Sequence, residues 1–226
     1  MAKMNGRFAG FSQGGQQGFS LLELLIAVVI LTIVLGVVAS GVVELQKSNT
    51  TQAVNVDLTQ ESRQFMDQVV QDLHQAGFPS SSMFDLTTSA ANPNLYAVGL
   101  VQVHTDLIQY EGDVDGTGVS EVFVQLSPPG GPCPCTLRRG AVSKALYAGG
   151  TLPTYYTEVD GVMNLNVFTA YDFAGNSISL PCDAGTCATI KNIKNIGLLL
   201  NVQSNTPNPT TGAYTNITVS TEAKIY

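Results

Sequence analysis

Oxygen-bearing side chains alternate in one short segment of the sequence, Asp113-Val-Asp115-Gly-Thr117-Gly. Oxygen ligands at alternate positions, with a glycine that permits a sharp turn, suit Ca²⁺. Glu111 and Glu121 lie close enough in sequence to add a carboxylate from outside the loop. The twelfth position of this ligand pattern, usually Glu, is Val124. A polar hairpin turn between two strands is the alternative, because Asp and Gly are also favoured in turns for backbone reasons. We expect no other cofactor.

Composition excludes several classes of function. Charged residues are 12% of the 226 residues and the net charge is −7, with no Lys/Arg cluster that could follow a phosphate backbone, so nucleic-acid binding is not expected. The sequence contains no G-x-S-x-G, H-E-x-x-H or P-loop motif. Abundant Gly, Ser, Thr and Asn, together with the lack of Trp, are typical of an exported, β-rich protein that is not an enzyme.

The four cysteines form two pairs of near neighbours, Cys133 with Cys135 and Cys182 with Cys187. An even number of cysteines in an exported chain favours disulfides, and three connectivities are possible. We favour Cys182–Cys187, because Gly185 lets that short loop turn, and leave the pairing of the other two open, since it closes a small ring. Neither pair fits a zinc pattern, because no C-x₂-C is present and both histidines are distant in sequence.

Glu23 lies at the edge of the most apolar part of the chain, the uncharged run from Leu24 to Val43. As a helix this run is ~30 Å long, which matches one hydrocarbon core. A carboxylate carried to the bilayer centre costs about 2.5–3.5 kcal/mol or more. The run predicts a single transmembrane helix, and Glu23 then needs an explanation that simple anchoring does not supply.

Residues 1–18 contain Lys3 and Arg7 and no acidic residue. By the positive-inside rule this end stays in the cytoplasm, so the rest of the chain lies outside the inner membrane, where disulfides form. In a secretory signal the apolar region precedes the cleavage site, whereas here it follows Gly18. Cleavage after Gly18 would therefore leave the apolar helix in the mature protein.

The segment Gly18-Phe19-Ser20-Leu21-Leu22-Glu23, followed by an apolar helix, resembles the prepilin cleavage and N-methylation motif of type IV pilins and their relatives. The resemblance implies that a prepilin peptidase cuts after Gly18 and methylates the new amine of Phe19. It also implies that Glu23 pairs with the N-terminal ammonium of a neighbouring subunit in a filament. Other pilins would then bind through the N-terminal helix, after storage in the inner membrane.

The helical pattern continues beyond the membrane segment and predicts one helix from Phe19 to Ala76, with no proline inside it. Gly77 and Pro79 supply the stop. Ser62 and Asp72 are assigned to the polar face. The apolar face consists of residues at spacings of 3, 4 and 7, namely Val54, Leu58, Phe65, Val69, Leu73 and Ala76.

Strand-like runs dominate the remainder, so we expect an α+β pilin fold in which the long helix packs on an antiparallel sheet. The runs are Leu95–His104, Asp106–Tyr110, Val119–Ser127, Thr136–Arg139, Val162–Tyr171, Gly197–Gln203 and Tyr214–Tyr226, with a short helix before Gly197. The expected organisation is a cleaved leader at 1–18, a helix at 19–76 with its transmembrane and assembly half at about 21–43, a loop at 77–94 and a β-rich periplasmic or extracellular head at 95–226.

The end of the long helix, residues 71–81 (QDLHQAGFPSS), resembles that of minor pilins of the PilW type. The head loosely resembles PilW-type minor pilins and J-type minor pseudopilins, at Leu137–Arg139 and Tyr171–Gly175 among other segments. The expected function is therefore that of a minor pilin, which joins and primes or caps a type IV pilus. Two alternatives stay open. One is a minor pseudopilin of a type II secretion system, and the other is a membrane-anchored adhesin or binding module that enters no filament.

Overall fold

The computed structural model of the protein describes residues 18–225. Internal contacts divide the chain into two compact units, one that ends at Lys47 and one that begins at Ser48. The described part of the first unit is mainly the apolar start of a helix, and the second holds the rest of that helix and a large sheet. The architecture is α+β and is consistent with a pilin fold, as the sequence predicts.

Helix α1 runs from Leu21 to Gln75, within two residues of the predicted bounds at each end. It ends where Gly77 takes a φ of +86°, a conformation that glycine adopts without steric cost. Ala76 then forms an isolated antiparallel bridge with Gly112, so the chain leaves the helix alongside a strand.

All ten strands of the described residues belong to one antiparallel sheet. They are β1 Leu100–Val103, β2 Leu107–Gly112, β3 Ser120–Ser127, β4 Cys135–Ser143, β5 Thr154–Val162, β6 Phe168–Tyr171, β7 Ser177–Ile178, β8 Cys182–Asp183, β9 Asn195–Pro207 and β10 Tyr214–Lys224. The order across the sheet is β7-β6-β9-β5-β4-β3-β2-β1-β8, and β10 pairs with β9. Strand β9 therefore has β10 along one edge, and β6 and β5 along the other.

Short helices occupy several connections. Helix α2, Leu86–Ala91, begins at Asp85, whose carboxylate accepts a hydrogen bond from the N–H of Thr88. Helix α3, Lys144–Ala148, begins at Ser143 in the same way. Single 3₁₀ turns lie at Ser81–Met83, Pro93–Leu95 and Ile190–Asn192. The expected 77–94 loop thus contains helical turns, and the short helix predicted before Gly197 is the 3₁₀ turn at 190–192.

Several strand predictions differ from the structure; β1, for example, begins at Leu100 and not at the predicted Leu95. The run Val162–Tyr171 was expected to be one strand, but β5 ends at Val162 and β6 begins at Phe168. Most of β5, from Thr154 onward, was not predicted at all. Its residues Tyr155 and Tyr156 suit a strand. The preceding Gly-Gly-Thr-Leu-Pro stretch and the later Gly161 made the segment look like a loop.

The core lies between the second half of α1 and one face of the sheet. Phe65, Val69, Leu73 and Ala76 are buried, as the apolar face predicts, while Leu58 is partly buried against the core. The facing side chains come from the middle of the sheet, among them Tyr110, Val122, Val124, Leu126, Leu137, Leu198 and Leu200.

Ser62 and Asp72 do not lie on the polar face of α1, because both are buried in the structure. Asp72 is 7% exposed, and its Oδ2 accepts hydrogen bonds from the Tyr110 hydroxyl at 3.0 Å and from Arg139 Nη2 at 2.7 Å. The Asp72 carboxylate is tolerated at this buried position because it is paired with the Arg139 guanidinium and the Tyr110 hydroxyl. The Asp72–Tyr110–Arg139 contact therefore connects α1 to strands β2 and β4.

Candidate functional site

The first turn of α1 is the segment in which the sequence places processing and assembly. The Ser20 carbonyl accepts hydrogen bonds from the N–H groups of Glu23, at 3.0 Å, and Leu24, at 3.1 Å. Ser20 thus closes the first helical turn, and Gly18 and Phe19 precede the helix. The Gly18–Phe19 peptide bond lies outside the helix, so a protease can bind it without unwinding α1.

Gly18 and Phe19 are exposed. A Cβ added to Gly18 would meet no atom within 4 Å, and 81% of Phe19 is exposed. The fold itself therefore places no steric demand for glycine at position 18. Any requirement for glycine there has to come from a protein that binds this segment.

Glu23 is exposed and lies in the first turn of the helix. A carboxylate there is favoured by the partial positive charge of the helix N-terminus, a modest effect of about 0.3–1 kcal/mol at an exposed site. Because this effect is smaller than the cost of carrying a carboxylate into a bilayer, Glu23 still calls for a cationic partner. The pairing with a neighbouring subunit's amine remains a prediction.

The helix beyond Glu23 presents apolar side chains on every side. Among the described residues, α1 is the helix that is long and apolar enough to cross a membrane. The two hydroxyls within its apolar run are satisfied internally, since Thr32 donates to the Val28 carbonyl at 2.9 Å and Ser40 donates to the Gly36 carbonyl at 2.9 Å. This internal satisfaction is what an apolar solvent requires of polar groups.

Comparison with known proteins agrees with this geometry. Residues 14–39 match the prokaryotic N-terminal methylation motif. No curated protein and no solved structure matches the chain. Together with the fold, the motif supports a type IV pilin-like protein. The motif implies processing by a prepilin peptidase and pilin assembly in general, and with the apolar helix it fits an inner-membrane-anchored, structural pilin. The predicted leader, apart from Gly18, lies outside the described residues.

The acidic segment predicted to bind calcium forms the β2–β3 turn. Asp115 Oδ1 accepts hydrogen bonds from the Thr117 N–H at 3.0 Å and from the Thr117 hydroxyl at 2.7 Å. Asp113 Oδ1 accepts from the Gly118 N–H at 3.1 Å. The hydroxyl and N–H of Thr117 hold the pKa of Asp115 below its ordinary value.

Asp113, Asp115 and Thr117 all lie in this turn, whereas Glu121 lies on β3, where it is buried. Within residues 18–225 no three His, Cys, Asp or Glu side chains are grouped so that they could hold a metal ion. The Asp carboxylates accept hydrogen bonds from backbone N–H groups of the turn, which explains the Asp residues without a bound metal. Calcium binding stays a prediction.

Glu121 belongs to a buried polar cluster, which we define as Gln109, Glu111, Glu121 and Lys144. Gln109 and Glu111 alternate with Tyr110 along β2, so they lie on the sheet face opposite α1. Glu121 accepts a hydrogen bond from Gln109 Nε2 at 2.9 Å, and Lys144 Nζ lies 2.7 Å from Glu111. Burial raises the pKa of Glu121 to about 7, and the neighbouring Glu111 carboxylate adds to the effect.

The polar cluster also holds a loop in place. Lys144 donates to the Tyr96 carbonyl at 2.9 Å, and Glu111 accepts from the Val98 N–H at 2.8 Å. No sequence motif indicated this arrangement. Alternation was a partial signal, because the predicted run Val119–Ser127 contains Glu121 but the predicted run Asp106–Tyr110 ends one residue before Glu111. In the structure β2 extends to Gly112, and Glu111 and Glu121 are register partners in the sheet.

Both pairs of neighbouring cysteines are bonded in the structure. Cys182–Cys187 closes the loop after β8, and Cys133–Cys135 lies at the start of β4. Of the two arginines in the Leu137–Arg139 segment, Arg139 pairs with Asp72, and Arg138 donates to the Thr136 hydroxyl at 3.3 Å. These residues contribute to structure, and none lies in the N-terminal segment that carries the methylation motif.

Proposed function

We propose that the protein is a minor pilin. A prepilin peptidase removes residues 1–18 and methylates Phe19, and the mature subunit then joins a type IV pilus and primes or caps it. The observation that carries the proposal is the methylation motif at residues 14–39, which includes the exposed apolar start of α1, a helix that leads into a large sheet. Gly18 and Phe19 are accessible, as a peptidase substrate must be.

Glu23 acts during entry into the filament. In the membrane its carboxylate has no cation to neutralise it, and docking beside another subunit's N-terminal ammonium supplies one. Removing the partner from a buried charge is costly, whereas a paired charge is tolerated, so Glu23 selects the axial position at which the two groups meet. This role requires the free amine that cleavage after Gly18 creates.

The large head suits a subunit of low abundance better than the principal subunit of a filament. The head contains ten strands, two disulfides and several irregular connections. Principal pilins, in the family that the N-terminal segment resembles, are usually smaller. Glu23 argues against the tip-most pseudopilin type, which commonly lacks this carboxylate.

The first experiment is the intact mass and N-terminal sequence of the full chain extracted from membranes of a host with an active prepilin peptidase. We expect N-methylated Phe19 as the first residue. A Gly18→Ala variant is expected to remain uncut, although the fold has room for the extra methyl group. An intact Met1 terminus in the parent protein would refute processing and favour a membrane-anchored adhesin or binding module.

The second experiment measures incorporation into sheared filaments. Glu23→Ala should be cleaved normally yet be depleted from filaments, by roughly tenfold or more if the pairing contributes even about 1.4 kcal/mol. Glu44→Ala, which removes a carboxylate from the same helix beyond the apolar run, is the matched control and should be incorporated normally. Equal incorporation of Glu23→Ala would refute the pairing. Processed protein that occurs only with secretion machinery would indicate a pseudopilin.

A further inference from the structure

Strand β10 forms a long open edge of the sheet. It contains 11 residues, Tyr214–Lys224, and pairs with β9 on one side only. No other strand of the described chain adjoins it. The strands at the two ends of the main order, β7 and β8, have two residues each. Natural sheets commonly shorten or shield their edges, and β10 departs from that practice.

The register shows which main-chain groups point outward. The pairing of β10 with β9 is continuous from Asn216↔Gln203 to Lys224↔Asn195. The Ile225 N–H donates to the Lys194 carbonyl at 2.7 Å, on the β9 side. Because alternate residues of a strand direct their N–H and C=O to the same side, odd-numbered residues of β10 bond to β9. The outward groups in the middle of the strand are those of Asn216, Thr218, Ser220 and Glu222.

The sequence of β10 does not protect this edge. From Tyr214 to Thr221 the strand has no charged residue and no proline, and it is rich in Thr, Ile and Val. Charge and proline are two common devices that discourage pairing with another strand. Ile217 and Val219 are only partly buried against the core, so a further strand would cover apolar surface as well as main-chain groups.

We propose that β10 pairs with β10 of a second copy of this chain, antiparallel and centred on Val219. This register brings all eleven residues of the strand into pairing. Ser220 lies opposite Thr218 of the second copy and Glu222 lies opposite Asn216. The N–H and C=O groups of all four residues point away from β9, so those of each pair can bond to each other. The twofold axis perpendicular to the sheet keeps each face continuous across the contact.

Side-chain complementarity supports this occupant. In the proposed register Glu222 faces the amide of Asn216, and Lys224 faces the ring and hydroxyl of Tyr214, so no like charges are opposed. On the other face Val219 meets its symmetry mate. A register centred on Glu222 would instead place two carboxylates opposite each other and shorten the overlap.

The contact is tested by cysteine cross-linking of the full chain in membranes. Val219→Cys places two thiols in a non-hydrogen-bonded pair with Cα atoms ~4.5 Å apart, within the range of a disulfide. Thr221→Cys is the matched control, since its symmetry mate lies four residues along the strand, ~13 Å away. After addition of an oxidant that accepts the two electrons, we expect a disulfide-linked homodimer from Val219→Cys at about ten times the yield from Thr221→Cys.

A second substitution tests the main-chain contact itself. Ser220→Pro removes an outward N–H and leaves the β9 ladder intact, so in the Val219→Cys background it should abolish the dimer, while Ser220→Ala should retain it. Equal cross-linking at 219 and 221, no homodimer from Val219→Cys, or a cross-link only to a different protein would each overturn the proposal. These results do not depend on cleavage after Gly18, so the proposed function stands or fails separately.

Discussion

Replacing Glu121 with Gln should make the unfolding free energy of the head less dependent on pH. Glu121 is 5% exposed, beside the Glu111 carboxylate and within 2.9 Å of Gln109 Nε2. Burial raises its pKa to about 7. The glutamine amide resembles the protonated acid, since its oxygen can still accept from Gln109 and it has no charge to desolvate. Lys144 keeps its pairing with Glu111 in the variant.

The sign and size of the effect follow from the two protonation states. The unfolded chain loses this proton near the ordinary pKa of 4.5, and the folded chain retains it to about 7. Between those values the folded state binds more protons, so stability falls as pH rises, by 1.36 kcal/mol for each pH unit. The upper limit is ~3 kcal/mol, fully present below about pH 4.5 and lost once pH passes about 7. Asp85 and Asp115 have lowered pKa values, so their effects appear at lower pH.

The assay is urea unfolding of the detergent-solubilised full chain from about pH 5 to about pH 8, with loss of the tyrosine near-ultraviolet signal as the readout, since the protein has no Trp. Glu121→Gln should exceed the parent by ~2–3 kcal/mol at the upper end and by much less at the lower end. Glu158→Gln, the same change on β5, is the control. Its unfolding free energy should vary with pH as steeply as that of the parent protein. Parallel pH profiles for Glu121→Gln and the parent would refute the reasoning.

Three further substitutions test other features of the head in the same unfolding assay. Asp72→Ala leaves the Arg139 guanidinium without its buried partner and should cost about 3–5 kcal/mol; a loss below about 1 kcal/mol would mean that the pair contributes little. Replacing Cys182 and Cys187 with Ser opens a short loop and should cost about 2 kcal/mol under oxidising conditions, with no difference after full reduction of both proteins. Gly112→Ala puts a Cβ 2.7 Å from the carbonyl of the last helical residue, so we expect a loss of about 1–3 kcal/mol, and unchanged stability would refute that close approach.

The elements whose apolar residues recur at one regular spacing were predictable from sequence. Helix α1 has no internal proline, and its apolar face and Gly77 stop determine both its partner surface and its end. Most strands were found because β-branched residues lie between turn residues. Strand β5 was missed because its Gly161 weakens the pattern. That glycine has φ of +72° and lies against the Gln203 backbone, a contact that only the folded sheet defines.

Buried polar residues were the main feature that sequence could not locate. Asp72 lies seven positions after Phe65 and three after Val69, which is the spacing of the buried face. Its charge nevertheless suggested a solvated position, because ionised residues are rarely buried without partners. The partners, Tyr110 and Arg139, are 38 and 67 residues away in sequence. Pairing over such distances is a property of the tertiary fold.

For the N-terminal segment, by contrast, the sequence is more informative than the structure. Gly18, Phe19 and Glu23 make few contacts in the folded chain, so geometry alone would not distinguish them from other exposed residues. Their order and their position at the start of an apolar helix carry the information, and they lie within residues 14–39, which match the methylation motif. In the proposed function these residues are recognised by other proteins, and for residues of that kind sequence is more informative than the fold.

The end of α1 has a mechanical consequence. The Gly77 N–H donates to the Glu111 carbonyl at 2.9 Å, and the Asp113 N–H donates to the Phe78 carbonyl at 2.9 Å. The chain that leaves the helix is therefore hydrogen-bonded to the end of β2. A pulling force on the last turn of α1 therefore enters the sheet at β2, which β1 and β3 flank, before it reaches the covalent path through the loop. The residues between Phe78 and Leu100 would be shielded from tension until those bonds break.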